Sequence, residues 1–189
     1  RRMEVKDYLK IIHFCEELKN VTRHSYTSKG RHESTAEHSF RLALMAYFMK
    51  DEFQHLDMNK VILMCLIHDL GEVITGDIPV FDKSEQDEEK ESELLNSWVQ
   101  TLPEPYVSEL GALYHEMNQL ESDEAKLYKA LDQLEAVDQH NLADLSTWED
   151  HEYHLQLTHG ETYAKCFEVT QKLKEAMNEE TKMKIKRGR

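Results

Sequence analysis

Cysteine, proline and glycine are scarce in this chain, and long apolar runs are missing. Its 189 residues include 3 Cys, 3 Pro and 6 Gly. Cys15, Cys65 and Cys166 lie far apart and form no CxxC, which argues against a disulfide scaffold and for a reduced, cytoplasmic setting. No apolar stretch approaches the ~20 residues that cross a bilayer, so no membrane span is expected. The start, Arg1-Arg2-Met3-Glu4, carries no signal-peptide apolar region. Basic residues are also short: 23 Lys and Arg stand against 37 Asp and Glu, a formal charge of −14. That balance excludes the broad basic surface that nucleic acid requires. It leaves room for a small anionic substrate held by a local cation.

What is present is helical patterning. Apolar positions recur at helical spacing almost throughout. Val5, Leu9, Ile12 and Cys15 mark a first helix ending near Asn20. A polar loop follows, with Arg23, His24, Lys29 and Arg31. Ser34-Thr35-Ala36-Glu37 has the capping-box pattern that opens a helix, which then runs through Phe40, Leu44 and Phe48. A third helix is expected over 59–70, ended by Gly71, with Gly76 to Pro79 as a turn. Acidic residues 82–93 lead into a helix bearing Leu94, Leu95 and Trp98. Ser122-Asp123-Glu124 opens a long helix, and a last one spans roughly 152–177. No strand pair is expected. The fold class is all-α, a single helical bundle, with Arg1-Arg2 read as cloning remnants and 181–189 as a basic tail.

One stretch carries chemistry. In "CLIHDLGEVITGDIP", residues 65–79, an apolar helix ends in His68-Asp69, with Glu72 and Asp77 following. Ionisable groups are costly to bury unless paired or coordinated. His38 near the start of the second helix, and Asp132 between Ala130-Leu131 and Leu134, complete a mixed nitrogen and oxygen set. Such donors suit an octahedral divalent metal (Mn, Fe, Co, Mg or Ni) with positions left for water. Glu72 lies four residues after His68, on the same helical side if the turn persists, where a carboxylate can orient or deprotonate a bound water. Asp77 can reach the same pocket.

The order His38, His68-Asp69, Asp132, with "TAEHSFRLALMA", "LIHDLGEVITGDIP" and "EAKLYKALDQLEAV", resembles the HD-domain superfamily of metal-dependent phosphohydrolases. The nearest resemblance is to the branch of bacterial 5′-deoxynucleotidases and related human-type proteins, and it spans nearly the whole chain (residues 3–180). It implies His38, His68, Asp69 and Asp132 as metal ligands, Glu72 as acid/base carboxylate, and Asp77 near the attacking water and the sugar. It also implies Arg23 as the phosphate-gripping arginine, with Arg31 a weaker substrate contact. His24 stands where those bacterial enzymes carry a tryptophan against the deoxyribose, so the deoxy preference does not carry over with the reaction. The expected activity is release of phosphate from (deoxy)nucleoside 5′-monophosphates by a homodimer, which apolar surface on the late helices would allow. Two alternatives remain at this point: an HD-type phosphodiesterase or nucleoside triphosphate hydrolase, and a non-catalytic metal-binding regulatory domain.

Overall fold

A computed structural model describes residues 2–188. It contains ten α-helices and one two-stranded antiparallel sheet among the described residues. In chain order these are α1 (Val5–Glu16), β1 (Thr22–Tyr26), β2 (His32–Ser34), α2 (Thr35–Tyr47), α3 (Met58–Ile67), α4 (Glu72–Thr75) and α5 (Glu85–Val99). They continue with α6 (Tyr106–Gln119), α7 (Asp123–Leu142), α8 (Glu152–Thr158), α9 (Glu161–Ala164) and α10 (Glu168–Gly188). None of the helices is long and apolar enough to cross a membrane.

The helix starts follow from local chemistry. Ser34 and Glu37 form the full capping box at α2: the Ser34 hydroxyl accepts from the Glu37 N–H, and the Glu37 carboxylate accepts from the Ser34 N–H at 2.8 Å. Ser84 with Asp87 does the same for α5, Asp57 caps α3 and Ser122 caps α7. Each satisfies a backbone donor that a first turn leaves unpaired.

The core is the junction of α2, α3 and α7. Leu42 and Ala46, Val61 and Met64, and Leu127, Leu131 and Leu134 are wholly buried there. Leu95 and Val99 of α5 and Leu113, Tyr114 and Met117 of α6 extend it on one side. Against the other end of α7, Ala164 and Met177 close a smaller cluster around Leu134 and Val137. A buried polar network locks α8 and α10 onto α7. Gln156 donates to the Val137 carbonyl (2.6 Å) and to Asn141 Oδ1 (3.0 Å), Lys174 donates to the Gln156 carbonyl (2.9 Å), and Thr181 donates to Asn141 Oδ1 (2.8 Å).

Several sequence expectations are corrected here. The loop after α1 folds into the β1–β2 hairpin, turned by Gly30 at φ +83°. Helix α3 stops at Ile67, and Gly71 does not end it by a left-handed turn: its φ is −61° and the chain turns helically again into α4. A Cβ on Gly71 would lie 3.0 Å from the Glu91 side chain, so this glycine serves close packing. The reversal comes at Gly76, φ +76°. The single late helix is three, broken at Gly160, φ +77°. Segment 181–188 is the end of α10, with Thr181 fully buried, so it is not a free tail. Phe40 and Leu44 of α2 and Phe48 just beyond it are exposed, since the face bearing Leu42, Ala43 and Ala46 is the one packed on the core.

Candidate metal and phosphate site

Three segments deliver the donors. His38 sits in the first turns of α2, His68-Asp69 in the turn leaving α3, and Asp132 midway along α7. Because these helices form the core junction, packing of leucines fixes the relative positions of the ligating atoms. His38 Nε2 lies 3.2 Å from His68 Nε2 and 2.9 Å from Asp132 Oδ1. His68 Nε2 lies 2.9 Å from Asp69 Oδ2 and 3.1 Å from Asp132 Oδ1, and His38 Nε2 lies 3.8 Å from Asp69 Oδ2. Donors about 2.1 Å from one cation, with bonds meeting at right angles, would stand about 3 Å apart.

The other ring nitrogens make the fit chemical as well as spatial. His68 Nδ1 donates to the Cys65 carbonyl at 2.7 Å, and His38 Nδ1 faces the Glu135 carboxylate in a very short contact. An acceptor at Nδ1 holds the hydrogen there and turns the Nε2 lone pair toward the centre, the arrangement found behind metal-bound histidines. The charges agree. Burial raises Asp69 and Asp132, yet the neighbouring imidazoles outweigh it, holding Asp69 down to about 2 and Asp132 below the usual carboxylate range. Burial lowers both histidines, yet the carboxylates win: His38 is pushed up to about 9 through Asp132 and Glu135, and His68 rises through Asp69 and Asp132. The cluster attracts positive charge and suits a divalent cation.

Around the cluster lies a cavity of about 230 Å³ lined in part by Arg23, Asp69, Glu72, Asp77, Lys129 and Asp132. Arg23 Nη1 is 3.6 Å from Asp69 Oδ2 and 3.9 Å from Asp77 Oδ1. Its Nε donates to buried Glu33 at 3.0 Å, which sets the guanidinium plane. Burial opposes the Arg23 charge, but Asp69, Asp77, Glu33 and Glu72 keep it firmly cationic. Glu72, 5% exposed, accepts from Thr35 Oγ1 at 2.8 Å. Burial, then Asp69 and Asp77, push its carboxyl up to about 9 against Arg23 and Thr35.

Of the residues expected from sequence, His38, His68, Asp69 and Asp132 converge, and Arg23, His24, Glu72 and Asp77 line the adjoining cavity. Arg31 stands apart. It lies at the exposed end of the hairpin, and its two terminal nitrogens donate to the Glu37 carboxylate at 3.0 and 2.7 Å. Glu33, Glu135, Lys129, His140 and Glu152 were not anticipated. Glu135 could have been, since it follows Asp132 by three residues on one helix and so shares its face. The same holds for Lys129, three residues before Asp132, whereas Glu33, His140 and Glu152 meet the site through the tertiary fold.

A profile of the HD domain family matches residues 15–174, which includes every one of the converging donors. The chain belongs to the HD domain family. Among its relatives, 5′-deoxynucleotidase HDDC2 of Bos taurus is 35% identical over 136 residues, covering 70% of this chain and 65% of that protein. The Homo sapiens protein of the same name is 34% identical over 136 residues, covering 70% and 66%. The match thus spans about two thirds of the length of these relatives. A solved structure of a predicted metal-dependent phosphohydrolase from Magnetospirillum magnetotacticum superposes with a TM-score of 0.77 over 96% of this chain and 95% of that one. At 24% identity that likeness speaks for the HD fold.

Proposed function

We propose that this HD domain is a metal-dependent 5′-nucleotidase that releases phosphate from (deoxy)nucleoside 5′-monophosphates. The observation that carries the reading is the joining of an open-sided His/Asp cluster, a fixed arginine and a buried high-pKa carboxyl in one cavity. His38, His68, Asp69 and Asp132 would hold the cation. Mn, Co, Fe, Ni and Mg all accept such donors. A divalent ion there supplies Lewis-acid polarisation of water and of a phosphoryl oxygen.

The chain's own groups do the rest. Arg23 offers a planar fork to two phosphate oxygens, and Glu33 holds that fork before substrate arrives, so little orientational freedom is lost on binding. Glu72 carries the proton: with its carboxyl pushed up to about 9, it is protonated at neutral pH and suited to give that proton to the leaving 5′-oxygen. Asp77, beside Arg23, aids in orienting water. Water adds to phosphorus, the P–O5′ bond breaks, and nucleoside and inorganic phosphate leave. The homodimer belongs to this reading too, supported by exposed Phe40 and Leu44 on α2 and Phe48 just after it.

A two-metal phosphodiesterase is less well supported. Among the described residues the second group able to hold an ion, Glu33, His38 and Glu135, shares His38 and is wholly buried, its members already paired with one another or with Arg23. The test is to strip the protein of metal, reload it with Mn, Co or Mg, and assay a panel of nucleoside 5′-monophosphates. Phosphate release is expected. Glu72→Gln should bind metal as the parent does yet lose at least a hundredfold in turnover. Silence with every metal and every monophosphate would refute the reading.

A further inference from the structure

The cavity has a second polar end, which the chemistry above leaves without a role. Beyond Arg23 it is lined by His24, Phe81, His140, Glu152 and Leu155. Glu152 opens α8 and is 6% exposed. Its Oε1 lies 2.9 Å from His24 Nε2, and its Oε2 accepts from the Glu149 N–H at 2.7 Å. A carboxylate has about four acceptor directions, so two are left. His140 Nε2, 3.6 Å from Glu152 Oε2, is buried with no hydrogen-bond partner. The His140 ring is fixed by stacking on Trp148, centroids 4.3 Å apart and planes at 17°.

We infer that Glu152, held between His24 and His140, is the acceptor for the sugar hydroxyls of the nucleotide, and that the chain therefore accepts ribonucleotides at least as readily as deoxyribonucleotides. This rests on the nucleotidase reading. His24 directly follows Arg23, so its backbone lies about 3.8 Å from that of the phosphate-binding residue. The part of the substrate that reaches it is the group joined to the phosphate, the sugar. A buried carboxylate at that end repels a second anion and welcomes uncharged O–H donors, which also favours monophosphates over longer phosphate chains. Burial holds His140 down to about 4, with His24 and Lys184 adding to it against Glu152, so the ring is neutral near pH 7. A neutral imidazole offers the second of two adjacent hydroxyls a partner, and an orphaned buried nitrogen gains one. Phe81 meets the His24 ring edge-on at 5.3 Å and leaves an apolar wall beyond the sugar for a base.

The experiment compares matched ribo- and 2′-deoxyribonucleoside 5′-monophosphates of four bases, with the metal-loaded protein, its Glu152→Gln variant and its His140→Phe variant. The phenylalanine keeps the stack on Trp148 while removing Nε2. Equilibrium binding of the matching free nucleosides is measured alongside. The parent should show a ribo-to-deoxy ratio of kcat/KM of one or more. Glu152→Gln should lower that ratio at least tenfold, chiefly through KM, and His140→Phe at least threefold. A parent ratio below about 0.1, or a ratio untouched by both variants, overturns the inference while leaving the nucleotidase intact. If no nucleotide is hydrolysed but ribonucleosides bind more tightly than deoxyribonucleosides, and Glu152→Gln erases that margin, the sugar assignment stands and the nucleotidase reading falls. Absence of both turnover and any ribo-against-deoxy margin in binding overturns the two together.

Discussion

Replacing Glu135 with alanine should weaken metal binding without touching a ligand. Glu135 and His38 are both completely buried, so bulk solvent does not reach His38 Nδ1 in the parent and the carboxylate is its partner. The loss is one charge-assisted hydrogen bond. The other carboxylate oxygen has no hydrogen-bond partner, with Arg41 Nη1 standing 3.6 Å away. An orphaned buried donor costs about 1–3 kcal/mol. Removal of such a carboxylate behind a ligating histidine costs about 10–100-fold in affinity, roughly 1.4–2.7 kcal/mol, so the two routes to the number agree. Glu135→Gln keeps an acceptor and loses only charge, so its affinity should fall between the parent and the alanine variant. Calorimetric titration of Co or Mn into the metal-free proteins at one pH would measure the series, with circular dichroism verifying the fold. A folded Glu135→Ala that binds metal within about threefold of the parent would refute the claim that this carboxylate orients His38.

Arg23→Lys should cut kcat/KM by about 10–100-fold, because a lysine cannot span two phosphate oxygens while leaning on Glu33; Arg31→Ala, losing only an exposed pair with Glu37, should stay within about threefold in the same phosphate-release assay. Lys174 gives a pH signature. Burial brings this amine down to about 8 from 10.5 against the pull of Glu161, so between those values the unfolded chain binds more protons and folding stability rises with pH. The stability of the parent relative to Lys174→Met should therefore climb from about pH 8 to about 10.5 in urea unfolding, and a flat difference would count against a desolvated ammonium.

Much of this was legible because the strongest signals are local. Ser34 and Glu37 announce the start of α2 through a reciprocal pair that needs no tertiary context, and Ser122 does so for α7. The converging donors, proposed here to hold a metal, were legible for a different reason: His68-Asp69 closes an apolar helix and Asp132 lies among leucines, where an unpaired charge is costly. The hairpin was not, since Thr22–Tyr26 is polar and short, with no alternation to mark it, and it is held by three residues just ahead of α2. Nor was the face that α2 buries, since Phe40 and Leu44 on one side compete with Leu42 and Ala46 on the other until α3 and α7 pack against it. Arg31 ranked below Arg23 as a substrate contact in the sequence, and the fold separates them fully: Arg23 lines the cavity while Arg31 closes on Glu37 at the surface.

The distribution of charge ties these points together. Asp69, Glu72, Asp77 and Asp132 line the cavity with Arg23, Lys83 and Lys129, and two of these cations are already engaged: Lys83 Nζ stands 2.8 Å from Glu91 and Lys129 Nζ 3.9 Å from Asp132. Glu33 takes a further share of the Arg23 charge. A phosphate dianion entering such a pocket meets more carboxylate than guanidinium, within distances too short for salt to screen. Two features make that entry feasible from the protein's side: the imidazoles and carboxylates gather positive charge at one point, and Glu72 sheds its own negative charge by holding a proton. This local excess of acid makes anion binding here conditional on a cation beside Arg23, which is the physical reason for proposing the His38–His68–Asp69–Asp132 centre and the Arg23 pocket as one site.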